Sequence, residues 1–179
     1  MCQQTLKAHF PILTSDLKSP KTWEYKQQSG VIRPSQKGDG VSIGPRLRKA
    51  DLIEVKAHST EDPSKLLENT INEHPNTTYT IEVKGLAIAM FGVVPYQENI
   101  GVIWLVGTDE MVKVKIPFLR NCRFWLDALS GLYPVLFNVV SKENKLHITW
   151  LKWMGFEFTK EHKEYGLNKE PFIAVSFTH

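Results

Sequence analysis

Asn144-Lys-Leu-His-Ile-Thr-Trp-Leu-Lys-Trp-Met-Gly-Phe156 decides how the rest of this chain is read. Ile148, Leu151 and Met154 recur at helical spacing, and Trp150 and Trp153 widen the apolar face. Asn144 stands where a helix can start, and Gly155 stands where a helix end favours a residue that tolerates positive φ. The apolar run over residues 133–140 predicts a buried strand before the helix. Glu157, Phe158 and Thr159 begin another strand after it.

Working outward, residues 117–131 predict a helix with Phe118, Cys122, Trp125, Leu126 and Leu129 on one side. Residues 99–106 are almost wholly apolar, as a central strand covered on both faces should be. Residues 77–83 and 86–94 alternate around the turn Lys84-Gly85 and predict a hairpin. Asp62 followed by Pro63 opens a helix over 62–71. Asp51 is read as the N-cap of a helix over 51–57 with Leu52 and Val55 inward, and residues 46–50 as a short strand. Residues 172–177 supply a last strand. The predicted order, β-α-α-β-β-β-α-β-α-β-β, belongs to a mixed α/β domain over residues 45–179.

Residues 1–44 read differently. Pro11, Pro20, Pro34 and several glycines interrupt every potential helix, leaving an extended arm with apolar anchors at 10–13, at Trp23 and Tyr25, and at Val31-Ile32. Residues 1–50 carry nine Lys/Arg against three Asp/Glu, whereas the remainder carries thirteen against sixteen. A basic arm on a mildly acidic body is either a solvated tail or a segment that docks on something acidic. Two cysteines are too few for a disulfide framework, so a reducing intracellular setting is expected. The sequence shows neither a signal peptide nor a membrane span, which predicts a protein that is not secreted. Its histidines and cysteines lack ligand spacing, and no metal is expected.

The predicted order resembles the GNAT N-acetyltransferase fold. Within it the chain is similar to GNAT-like proteins of tailed bacteriophages, the podophage internal virion protein A family. The matching pieces are Arg48-Lys-Ala-Asp51 with Glu54, Ala89-Met-Phe-Gly-Val93, Trp104-Leu-Val-Gly-Thr-Asp109, Phe118-Leu-Arg-Asn-Cys-Arg-Phe-Trp-Leu126, Tyr133-Pro-Val-Leu-Phe-Asn138 and the Asn144–Phe156 stretch. The resemblance implies a mixed, mostly antiparallel sheet splayed between the strands at 99–106 and 134–140, with helices on both faces. It further implies acetyl-CoA chemistry in that splay, with Val106, Lys113, Lys115, Asn138 and Asn144 as the candidate cofactor contacts.

Three departures argue against transfer. Active members of the superfamily hold the pyrophosphate on a glycine-rich loop at a helix N-terminus. Here residues 109–118 contain no glycine, include Pro117, begin with Asp109-Glu110 and read as an extended strand end. The tyrosine that many members use to protonate the leaving thiolate falls on Leu151. The fourth strand offers no internal carboxylate base, with Glu98 only at its mouth. Glu54 and His58, four apart, form either a surface pair or part of the cleft, and His147 is read as a packing histidine or a base. Neither cofactor nor catalysis is therefore expected.

Three functions follow from this reading. The first is a virion structural or assembly protein docking through its arm on portal, internal core or tail proteins in a larger symmetric assembly, with unspecific contact to packaged DNA. The second is an acetyltransferase acting on a protein or small-molecule amine. The third is a non-catalytic binder of host proteins. Localisation is expected in the virion, the host cytoplasm or both.

Overall fold

A computed structural model describes residues 17–25 and 28–178. The apolar anchor read at 10–13 lies outside them. The described residues form one eight-stranded sheet: β1 (Lys21–Tyr25), β2 (Gln28–Pro34), β3 (Thr78–Val83), β4 (Leu86–Gln97), β5 (Ile100–Gly107), β6 (Val135–Ser141), β7 (Glu157–Tyr165) and β8 (Glu170–Thr178). Its spatial order is β1-β2-β3-β4-β5-β6-β8-β7. Every neighbouring pair is antiparallel except β5 and β6. Among the described residues it is accompanied by the helices α1 (Asp39–Ile43), α2 (Lys49–His58), α3 (Pro63–Glu73), α4 (Lys115–Ser130) and α5 (Lys145–Met154). This is the expected mixed α/β, mostly antiparallel GNAT-like architecture.

Alternation along the central strands builds a core on each face. Ile103 and Leu105 of β5 join Ile81, Phe91 and the inner sides of α4 and α5. Trp104 and Val106, one residue out of phase, pack with Ile43 of α1, Leu67 and Ile71 of α3, and Val55 of α2. Helix α5 keeps the boundaries its sequence implies. The Asn144 side chain accepts from His147 N–H, and Gly155 adopts φ 94°, where a Cβ would be strained.

Four local expectations need correction. Residues 46–50 are not a strand: Gly44–Arg46 is a 3-10 turn, Leu47 makes a single bridge to Thr108, and α2 begins at Lys49. Asp51 consequently sits inside α2 rather than capping it. Residues 21–34, read as part of an arm, supply β1 and β2, and β2 pairs with β3 from Gly30 to Pro34. The sheet therefore starts well before residue 45, and Ile32 is a core residue. Finally, Asp109–Val114 is a 3-10 turn rather than a strand end. Met111 and Val114, three residues apart, are its buried side, which matches the 3.0-residue period of that helix.

Strand β7 forms one outer edge. Most of its residues are exposed, and Glu157, Lys160, Glu161, Lys163 and Glu164 follow one another along it.

Candidate functional site

Strands β5 and β6 run parallel but pair over three positions only, Ile100–Val102 against Val135–Phe137. Beyond Val102 they diverge and leave a cleft that widens toward their C-terminal ends. A cavity of about 50 Å³ lies by it, lined by Leu105, Asn138, His147, Trp150 and Leu151 among other residues. The surroundings are apolar, yet the indole Nε1 of Trp104, Trp125 and Trp150 and Nδ1 of His147 are buried with no hydrogen-bond partner.

Helix α2 holds the two lips of this cleft. The fully buried Asp51 carboxylate accepts from Gly107 N–H at the end of β5 (2.8 Å) and makes a two-pronged pair with Arg48. One turn later Glu54 Oε1 accepts from Ser141 N–H at the end of β6 (3.1 Å) and from Asn144 Nδ2 (3.1 Å). Residues three apart share a helix face, so one face of α2 reaches both strands. The Arg48-Asp51-Glu54 spacing thus acquires a purpose: it fixes the width of the splay. Burial pushes the Asp51 carboxyl up, while Arg48 and Gly107 pull it down without fully compensating.

The candidate residues divide sharply around this geometry. Glu54, Asn144 and His147 come together: His147 Nδ1 lies 3.5 Å from Glu54 Oε2, and His147 is buried. Glu54 has one oxygen committed to two donors and the other beside the imidazole, so it acts as a strut. Asn138 lines the cavity. Val106 faces the opposite core. His58 lies exposed at the end of α2, edge-on to Tyr165 at 5.4 Å, and its pKa is lowered mainly by desolvation, against the pull of Glu54. Glu98 is exposed in the β4–β5 turn, at the closed end of the splay. Lys113 and Lys115 are exposed on the turn into α4.

At the other lip, α4 starts at Lys115 after Val114, which provides no side-chain cap, and Pro117 occupies its first turn. Glu110 stands nearby with its carboxyl held low, chiefly by the Thr108 hydroxyl, with smaller help from Arg46 and Lys113. Leu151 is buried in the core. Cys122, whose thiol burial pushes up, sits 3.4 Å from Met154 Sδ. No cluster of three or more metal-ligating side chains occurs among the described residues.

Sequence reasoning missed a second polar cluster. Arg33 pairs with both Asp39 and Glu82 (2.8 Å each), and Thr80 Oγ1 donates to Asp39 (2.7 Å). Arg46 likewise donates to Ala87 C=O (2.7 Å). Arg33, Arg46 and Arg48, counted above as part of a basic arm, therefore spend their charge inside the fold. Only the buried partners reveal this; composition gives no signal.

Residues 77–163 match a protein family described as "Bacteriophage T7, probable scaffold protein Gp13". That span runs from β3 into β7 and includes both strands of the cleft, but not the helix α2 that bridges them. No curated protein matches the sequence. Among solved structures, the chain is similar to Ard1 from Thermoplasma volcanium at 20% identity and TM-score 0.59, covering 83% of this chain and 97% of that one. The ribosomal-protein-S5-alanine acetyltransferase from Vibrio fischeri gives 13% and 0.62, covering 88% and 96%. The spermidine N-acetyltransferase from Vibrio cholerae, solved with CoA and spermine, gives 13% and 0.60, covering 83% and 95%. At such identities the likeness establishes the GNAT fold and leaves function to be argued from the site.

Proposed function

We propose that this protein is a structural or assembly component of a bacteriophage particle, built on a GNAT scaffold that does not transfer acetyl groups. The observation that carries the reading is the match of residues 77–163 to the phage scaffold-protein family. The finer placement within the podophage internal virion protein A group, and docking on portal, core or tail proteins, belongs to the same proposal. Localisation in the virion follows from it.

The cleft supports the non-catalytic half. Acetyl-CoA needs amide donors around its pyrophosphate, and here the helix entrance has a proline in its first turn and no glycine. Asp109 and Glu110 add negative charge beside it. A leaving thiolate needs a proton donor, and the position that would supply it is a buried leucine. Glu54, a carboxylate at the lip of the cleft, is already bonded to two donors. These residues do not fit the cofactor.

Mass spectrometry of purified particles tests the structural half: the protein should be present at a fixed copy number. Its absence from particles, with a stable host complex in pull-downs, would replace this reading with that of a host-binding factor. Thermal unfolding with 1 mM acetyl-CoA tests the other half. A ligand with a Kd of about 10 µM would stabilise by about 2.7 kcal/mol. No shift is expected, and a rise of several degrees would restore the acetyltransferase reading.

A further inference from the structure

One face of the sheet carries an excess of positive charge. Helices α4 and α5 hold five basic residues (Lys115, Arg120, Arg123, Lys145, Lys152) against Asp127 alone. On the other face Lys49, Lys56 and Lys65 stand with five acids, but Asp39 and Asp51 are already paired with Arg33 and Arg48, so that side is close to balance. The uncompensated charge is therefore concentrated on the α4–α5 side. This asymmetry lies within the folded body.

Four cations on the α4–α5 side stand over aromatic rings. Lys21 lies 5.4 Å from the Phe124 ring, Arg120 5.3 Å from Tyr25, Arg123 4.8 Å from Trp153 and Lys152 5.4 Å from Phe158. These contacts join β1, α4, α5 and β7, so they cross the face from one sheet edge to the other. Arg120, Arg123, Lys152 and Trp153 are exposed. Among the described residues none of the four cations pairs with a carboxylate, whereas Arg33, Arg46, Arg48, Lys65, Lys142 and Lys145 do. Aromatic faces hold cations without neutralising them. The result is a row of positioned, uncompensated positive charge.

We propose that this face binds the phosphate backbone of double-stranded DNA without regard to sequence. A phosphate ladder is the partner whose charge complements such a row, and guanidinium forks suit phosphate oxygens. The rings already carry cations, so charge rather than base stacking is on offer, which favours duplex over single strand. The contact is assigned to the helical face, not to the N-terminal segment.

Fluorescence anisotropy of the full chain with a labelled duplex of about 30 base pairs tests this. Micromolar binding at physiological salt is expected, with log K falling linearly against log salt. The double variant Arg120→Gln/Arg123→Gln should flatten that slope by about 2 and weaken binding on the order of tenfold or more at 0.1 M salt. Lys49→Gln/Lys56→Gln on α2, on the opposite face, should change neither. If the arginine pair lowers the thermal midpoint, Lys21→Gln/Lys152→Gln must reproduce the slope change. Absence of duplex binding, or equal losses from both faces, overturns the proposal. Binding of a labelled poly-glutamate peptide with duplex ignored overturns it too, by assigning the face to an acidic protein. Particle mass spectrometry is indifferent to all these outcomes, so the two readings fail separately.

Discussion

Asp39 and Asp51 are both carboxylates withdrawn from water, and their surroundings move them in opposite directions. Burial raises Asp39, but the Arg33 guanidinium, the Gln36 N–H and the Thr80 hydroxyl outweigh it and hold the group below its usual value. Its contribution to stability is then present above about pH 3.8 and lost as pH falls through the lowered folded value. Urea unfolding of Asp39→Asn should show a clear deficit against the parent at pH 5 that shrinks below pH 3.8. Asp51 runs the other way. Its folded value is raised, so the folded state binds the extra proton and this group opposes stability as pH rises from 3.8 through that value. Removing Asp51 entirely is a different matter, because Arg48 and Gly107 N–H lose their acceptor in a buried place. Asp51→Ala is expected to cost about 3 kcal/mol in denaturant unfolding. Asp51→Asn, which keeps an acceptor, should cost less.

Elements whose specification is local were legible in the sequence, and those specified at a distance were not. Helix α5 was readable because its start, its apolar stripe and its stop all lie within Asn144–Phe156. Asn144→Ala should cost about 1 kcal/mol for the lost cap and somewhat more because Glu54 loses a donor, measurable by chemical denaturation. Strand β2 was hidden because its partner β3 lies some fifty residues downstream, β1 pairs with β2 alone, and Pro20, Gly30 and Pro34 look like breakers when read alone. The turn at Asp109–Val114 was misread for another reason. Val112, Val114 and Ile116 alternate, yet Val112 is exposed and Met111 is buried. The cleft showed the same division: Glu54, Asn138, Asn144 and His147 were named from sequence. Their joint role with Asp51, one helix face holding two strand ends, needed the three-dimensional register.

On the scale of the whole molecule, the early strands change what an N-terminal truncation means. Residues 21–34 belong to the folded sheet, so a truncation that cuts into them removes structure along with sequence. Deleting residues 1–34 removes two strands together with Ile32, and bares the β3 edge. That variant is expected to aggregate, as size-exclusion chromatography would show. Loss of particle incorporation by that variant would report misfolding and not docking. The sheet's other flank is protected by its own composition. Along β7 carboxylates and ammonium groups succeed one another, so stacking a second copy there would force hydrated ions together. A border of this kind opposes ribbon growth by backbone pairing along β7, so an array joined on that side would have to be ordered by side chains.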